Sequence, residues 1–188
     1  YYGRLNYSFN GKYFLTGTIR TDGSSRFNPS NRWGIFPSGS FAWKIKEEGF
    51  LKNSSVVSDL KLRLGYGTTG QQDGIGDYDY ISYYSLSNKQ AQYQLGNTFY
   101  QVYKPSGYYF NRKWEQTATY NAGLDFGFVN NRITGSVDYY YKLTTNLLNQ
   151  ISQPAGSNFS NKIVANVGSM ENSGVEVSLN LIPVRTRD

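Results

Sequence analysis

The chain has 188 residues, enough for one ordinary domain, a formal net charge of +6, and neither cysteine nor histidine. The missing cysteine excludes a disulfide scaffold, thiolate chemistry and Cys-ligated metals, and the missing histidine removes the usual general base and the commonest metal ligand. Lysines and arginines are scattered rather than run together, which argues against nucleic acid as a partner.

The dominant pattern along the chain is alternation of period two. The first segment covers about 2–10, with Leu5, Tyr7 and Phe9 on one face and Arg4, Asn6 and Ser8 on the other. Asn10-Gly11 follows and predicts a hairpin turn, because both residues tolerate positive φ. The second segment, 12–21, sets Tyr13, Leu15, Gly17 and Ile19 against Thr16, Thr18 and Arg20, and a polar loop is expected over 22–31. The third, 33–45, places Trp33, Ile35, Phe41, Trp43 and Ile45 on one parity and Ser38, Ser40 and Lys44 on the other. Pro37 and Gly39 there predict a bulge or bend. Residues 46–58 read as a connector with a short helical turn around 47–51.

The fourth segment, 59–68, opposes Leu60, Leu62, Leu64 and Tyr66 to Lys61 and Arg63. Residues 70–112 are rich in Tyr but alternate poorly, and read as one long loop. Whether 78–103 adds two strands to the sheet or forms a hairpin of its own stays open. Alternation resumes over 115–128, with Tyr120, Ala122, Leu124, Phe126 and Phe128 opposite Thr117, Thr119, Asn121 and Asp125. Asn130-Asn131 predicts a tight turn. Residues 132–143 oppose Ile133, Val137, Tyr139 and Tyr141 to Thr134, Ser136, Asp138 and Lys142. A second long loop is expected over 144–166. Residues 174–182 oppose Val175, Val177, Leu179 and Leu181 to Glu176, Ser178 and Asn180.

Every charge inside these segments lies on the polar parity. A face free of charge is what hydrocarbon demands, since a charge at mid-membrane costs about 2–4 kcal/mol. Connections are short on one side and long on the other, the loop asymmetry of outer-membrane barrels, with 46–58 longer than that pattern expects. Strands of about ten residues, tilted by about 40–45°, cross roughly 24 Å, close to the apolar band of such barrels. Aromatic residues are 17% of the chain, with 18 Tyr and 3 Trp. Tyr13, Trp43, Phe126 and Phe128 fall near the short-turn ends and Tyr66, Tyr120, Tyr139 and Tyr141 near the long-loop ends, as two aromatic girdles would. The mean hydropathy of −0.57 does not oppose this, because half of each barrel strand faces water. The expected fold is therefore all-β and antiparallel: an incomplete transmembrane β-barrel segment of about seven to nine strands. Residues 1–188 belong to that one domain, and 70–112 and 144–166 are expected as extracellular loops. The chain starts at Tyr1 with no charged or apolar leader, and 184–188 cap nothing recognisable, so both ends read as cuts. A soluble β-sandwich that binds carbohydrate also alternates. It predicts that the apolar parity packs against a second sheet. A surface adhesion or structural protein is a third reading.

Several motifs carry weaker signals. Gly65-Tyr66-Gly67-Thr68-Thr69-Gly70 matches a dinucleotide fingerprint, but a loop follows where a helix is needed. Asp73, Asp77 and Asp79 could ligate a hard cation, yet their spacing is not that of an EF-hand. Glu47-Glu48 are adjacent, which does not set two carboxylates across a scissile bond. Asn6, Asn53 and Asn158 match N-x-S/T by chance. No catalytic residue, metal or cofactor is expected, and no enzyme. The best candidates for ligand contact are Tyr80, Tyr83, Tyr84, Tyr100, Tyr103 and Tyr108, whose rings can stack on sugars; packing within the loop or against a partner is the competing role. Arg4, Arg20, Lys61, Arg63, Asp125, Asp138 and Lys142 are lumen-facing candidates, either meeting solute or pairing among themselves.

Seven ordered stretches resemble the SusC/RagA family of TonB-dependent transporters of Bacteroidota: Tyr2-Gly3-Arg4-Leu5-Asn6-Tyr7; Arg20-Thr21-Asp22-Gly23-Ser24-Ser25-Arg26-Phe27; Asn31-Arg32-Trp33-Gly34-Ile35-Phe36-Pro37-Ser38; Asp59-Leu60-Lys61-Leu62-Arg63; Trp114-Glu115-Gln116-Thr117; Asn131-Arg132-Ile133-Thr134-Gly135-Ser136; and Asn166-Val167-Gly168-Ser169-Met170-Glu171-Asn172. The resemblance implies an outer-membrane importer of glycans or peptides with a plug domain outside this chain. It also implies energy from the TonB complex, a SusD-like lipoprotein lid and contact with outer-membrane lipid. The stretch 78–112 is the least family-like.

Overall fold

A computed structural model describes residues 1–183; the expectation for 184–188 lies outside the described residues. The strands are β1 (Tyr2–Phe9), β2 (Tyr13–Gly23), β3 (Trp33–Lys44), β4 (Val57–Gln71), β5 (Tyr84–Leu86), β6 (Gln92–Leu95), β7 (Thr98–Gln101), β8 (Tyr103–Pro105), β9 (Glu115–Phe128), β10 (Ile133–Thr145), β11 (Leu148–Ser152), β12 (Lys162–Asn166) and β13 (Ser169–Leu181). Seven form one antiparallel meander in the order β1-β2-β3-β4-β9-β10-β13. The expected strands are all present. The short strands stand apart from this sheet as three two-stranded ribbons: β5-β8 and β6-β7 within 72–114, and β11-β12 within 146–168. Residues 78–103 therefore add no strand to the meander.

The turns follow their chemistry. Asn10 and Gly11 take positive φ, and the Lys12 N–H donates to the Phe9 carbonyl at 3.0 Å. Val129, Asn130 and Asn131 all take positive φ between β9 and β10. The connector after β3 opens with a 3-10 turn, Ile45–Glu47, and the Glu48 carbonyl then accepts from Leu51 and Lys52.

Cross-strand register joins apolar to apolar across the sheet. Tyr7 faces Leu15, Leu15 faces Phe41, and Phe41 faces Leu64. Leu64 then faces Ala122, which faces Tyr139, which faces Val175. This apolar side is uncovered: Leu5, Leu15, Ile19, Tyr66, Tyr120, Val137, Val175, Val177 and Leu179 are all exposed. No second sheet packs on it among the described residues, so the sandwich arrangement is absent there. Side chains of the opposite parity form a mainly polar face of Ser, Thr, Asn and charged groups, with Phe14, Phe36 and Tyr140 among them. One carboxylate departs from the sequence pattern. β13 begins five residues earlier than the alternation indicated, and this brings Glu171, paired with Leu143, onto the apolar parity at the long-loop end.

The expected bulge at Pro37 and Gly39 is not there. Ile19 pairs with Pro37 and Gly17 with Gly39 in unbroken register. Pro37 instead marks where β3 and β4 part, since their pairing stops at Ser38 and Gly67. A proline has no N–H to give the ladder. Thr68 Oγ1 donates to the Pro37 carbonyl at 3.2 Å instead. Above this point a small core fills the gap: Phe27, Phe36, Ile75 and Trp114 are buried together, with Leu148 against them. Phe27 and Trp114 stack at 4.8 Å, and Phe36 meets Trp114 edge-on at 5.7 Å. Residues 22–23, expected in the loop, extend β2. At 13 to 15 residues, β4, β9, β10 and β13 rise roughly 30–35 Å at a tilt of about 45°, beyond an apolar band of about 25 Å.

Candidate functional site

The polar face is organised around Arg63. Its β4 position pairs with Gly123 of β9, and Gly123 pairs with Asp138 of β10. A Cβ at Gly123 would collide with both the Asp138 carboxylate and the Arg63 guanidinium. The glycine thus lets Arg63 cross β9. Arg63 donates to Asp125 through Nε at 2.9 Å and Nη2 at 2.8 Å, and through Nη2 to Asp138 at 2.8 Å. Lys61 lies 3.9 Å from Asp125. Four of the seven charged candidates are thereby brought together, as a self-paired cluster. The other three lie apart on the same face. Arg20 binds Asp22 at 2.7 Å, Arg4 donates to Thr18 at 3.3 Å, and Lys142 sits 5.3 Å from the Tyr140 ring centre. Arg4 and Lys142 form no ion pair among the described residues.

The long connections between strands interlock. Asn28 is buried; its amide donates to the Phe110 carbonyl at 2.6 Å and its oxygen accepts from the Asn31 N–H at 2.9 Å. Asn31 donates to the Arg112 carbonyl at 3.0 Å. Asn166 accepts from the Lys113 N–H at 2.7 Å and donates to the Lys113 and Asn146 carbonyls. Arg112 is buried between loops, with Nε and Nη2 donating to the Val164 carbonyl at 3.1 and 2.6 Å and Asp79 3.5 Å away. Burial pushes its pKa below the ordinary arginine value, and the Asp79 charge opposes this. Asn158 pairs with the Tyr108 backbone at 3.2 and 2.8 Å, standing in for a strand neighbour.

These bonds place the six candidate tyrosines unequally. Tyr84 and Tyr108 gather around Phe159, with centroids 6.2 and 6.3 Å away. Tyr100 stacks on Tyr93 at 5.5 Å. Tyr83 and Tyr103 are exposed and Tyr80 is half-buried, without ring partners among the described residues. Phe159 is not among the sequence candidates; it lies in a polar stretch with no period to flag it. The weaker motifs have structural partners. Asp77 pairs with Arg26 at 3.1 Å, and Asp79 accepts from the Gly76 N–H at 2.8 Å. Glu48 accepts from Tyr13 Oη at 2.6 Å and from Lys12 Nζ and Trp43 Nε1 at 3.1 Å each. Gly65 and Gly67 lie within β4, beside Asn121 and Ser38.

The profile of the TonB dependent receptor-like, beta-barrel family matches residues 1–182. The TonB-dependent receptor SusC of Bacteroides thetaiotaomicron is 53% identical over 188 residues, covering all of this chain and 19% of that protein. The TonB-dependent receptor P39 of Formosa agariphila is 41% identical over 190 residues, covering 98% of this chain and 17% of that protein. Among solved structures, the RagAB peptide importer in its closed-closed state superposes with a TM-score of 0.83 at 31% identity, over all of this chain and 20% of that one. A further structure of the RagAB peptide transporter gives a TM-score of 0.79 at 32% identity, over 95% of this chain and 19% of that one. The chain spans about a fifth of the length of the relatives it matches. A meander with one charge-poor apolar side, matched over its length in sequence and in backbone course, belongs to the SusC/RagA family of TonB-dependent receptor β-barrels.

Proposed function

We propose that this chain is wall of an outer-membrane importer. The apolar side faces lipid, the polar side faces the lumen, and the interlocked connections lie outside the cell. The observation that carries the reading is the division of the sheet: an uncovered apolar side opposite a polar side cross-linked by Arg63, Asp125 and Asp138. A lipid bilayer on one side and water on the other account for both. Fixed, mutually neutralised charges give a hydrated wall without a reactive group, so the chain contributes passage and contact rather than covalent chemistry. In this proposal the energy comes from a TonB complex through a plug beyond this chain, a reading supported by membership of a TonB-dependent receptor family.

The loop aromatics are the contact surface in this proposal. Tyr84, Tyr108 and Phe159 offer clustered rings, and Tyr103 an exposed one, to a glycan or peptide substrate or to a SusD-like lipoprotein lid. The RagAB relative is a peptide transporter, which makes a peptide one substrate class; a glycan is the second. The test is uptake by cells that carry or lack the full-length gene, with fluorescent oligosaccharides and peptides, in backgrounds with and without TonB. Accumulation that needs both the gene and TonB is expected. Accumulation indifferent to TonB, or full-length protein recovered outside the outer-membrane fraction, overturns the reading.

A further inference from the structure

We infer that Lys44 and Lys61, on the polar side near the short connections, hold a carboxylate carried by the plug segment of the same polypeptide, an inference that rests on the import reading. The two lysines are directly opposed in register on β3 and β4. Like charges set opposite each other across paired strands destabilise the pairing. The described residues do not balance them. Lys44 forms no ion pair among those residues; its ammonium lies 5.3 Å from the centre of the Phe14 ring, which leaves its charge in place. Lys61 has one carboxylate within reach, Asp125 at 3.9 Å, and both oxygens of Asp125 already accept from Arg63. Arg63, by contrast, is matched by two carboxylates, Asp125 and Asp138.

The two ammonium groups stand at one end of a hollow of about 570 Å³ in the polar face. Its floor is made of small residues. Ala42 lies between Phe14 and Arg63 in one cross-strand row, and Ser40 between Thr16 and Gly65 in the next. Phe14, half-buried on this wet face, offers an apolar contact to a stretch of chain lying in the hollow. The flexible lysine stems let both heads reach one carboxylate, and such charge-assisted hydrogen bonds are stronger than neutral ones. Charge selects the carboxylate, and permanence selects its source. The repulsion between Lys44 and Lys61 is always present, so a resident anion relieves it and a solute in passage does not. The hollow also lies away from the long connections, where a solute arriving from outside is met first. The chain spans about a fifth of the length of its relatives, and in the import reading the segment enclosed by the barrel is the plug.

The test is hydrogen exchange on the full-length protein in detergent, comparing the unaltered protein with Lys44→Glu and Lys44→Arg. Within the sheet alone, Lys44→Glu turns a like-charged pair with Lys61 into an opposite one and favours the wall. A plug carboxylate seated there is repelled by the same change, so the two roles have opposite signs. Lys44→Glu is expected to speed amide exchange in one plug segment about 10-fold or more, as loss of a hydrogen bond to a charged group implies. Lys44→Arg should leave that segment near its original rate, and protection over 38–44 and 59–67 should hold in both. Unchanged plug exchange in Lys44→Glu, or equal acceleration in Lys44→Arg, overturns the inference. A carbodiimide, which joins an amine to a carboxylate in contact with it, gives a second reading on the unaltered protein. Mass spectrometry should find Lys44 or Lys61 joined to an Asp or Glu of the plug, and a link from Lys61 to Asp125 alone overturns the inference. Unchanged plug exchange together with a selective loss of acidic-peptide uptake in Lys44→Glu would make a solute the occupant and overturn the plug as the source. No TonB-dependent uptake by the unaltered protein removes the importer itself, whereas intact uptake with unchanged plug exchange removes only the carboxylate seat.

Discussion

Arg63 and Asp138 are on strands that are not paired, yet their side chains bond at 2.8 Å across Gly123 of the intervening strand. The contact exists because that position has no side chain. A Cβ there meets only the flexible ends of Arg63 and Asp138, so alanine displaces the ion pair rather than the backbone. Gly123→Ala is expected to lower the stability of the full-length barrel by about 1 kcal/mol, the scale of a half-exposed, multidentate pair. Unfolding in urea followed by gel mobility measures it. In an Asp138→Asn background the same substitution should cost markedly less, because the pair is already weakened. Equal cost in both backgrounds would show that the glycine serves something other than this contact.

Most of the sheet is legible in the residues, and the reason is physical. In the membrane wall proposed above each strand has two solvents, so alternation is enforced over most of its length. The bounds of β9 agree with the alternating segment, and those of β1 differ by one residue. Alternation foreshortens β13 because Ser169-Met170-Glu171-Asn172-Ser173 does not alternate; its pairing to 141–145 of β10 is what makes it a strand. Of the candidate site, the Arg63 cluster can be anticipated as charges of one parity, but not the crossing at Gly123, which depends on register. The small core and the asparagine framework are not legible. Phe27, Ile75 and Trp114 are distant in sequence, aperiodic, and joined only where Pro37 lets β3 and β4 separate.

That separation makes the small core a discrete unit. Trp114 is 8% exposed, stacks on Phe27 and donates through Nε1 to the Arg32 carbonyl at 3.3 Å. Trp114→Ala removes the ring that closes the gap and is expected to cost about 3–5 kcal/mol locally. The meander below Pro37 makes no use of the ring and should persist. Hydrogen exchange on the full-length protein checks this: protection should fall over 24–32 and 72–114 and hold over 38–44 and 59–67. Uniform loss across the sheet would mean that the core supports the barrel and not only its connections.

At the opposite end, Glu48 ties two rings of the apolar side to the short connections through Tyr13 Oη, Lys12 Nζ and Trp43 Nε1. These donors, the Tyr13 hydroxyl foremost, hold its carboxyl below the usual glutamate range. A carboxyl whose pKa falls on folding adds stability above its unfolded value of about 4.3. It loses that stability as pH drops through the depressed folded value. Wild-type protein should therefore exceed Glu48→Gln in stability at pH 7, and the gap should close as the pH is taken well below 4. Trp43 fluorescence during urea unfolding at each pH reads it, and a gap that stays constant with pH sinks the assignment.

The two faces make opposite demands on neighbouring residues of β10, and this gives the sharpest test of which face meets lipid. Val137 pairs with Leu124 and Val177 in the middle of the apolar side, whereas Ser136 pairs with Asp125 and Ser178 on the polar side. Val137→Arg puts a guanidinium into the hydrocarbon and is expected to cost about 2–4 kcal/mol. Ser136→Arg puts the same group beside the Asp125 carboxylate, in water, and is expected to be tolerated. Folding of the full-length protein into lipid vesicles, titrated with urea, compares the two directly. Similar costs at both positions would mean that neither side is lipid, and a greater cost at Ser136 would turn the wall inside out.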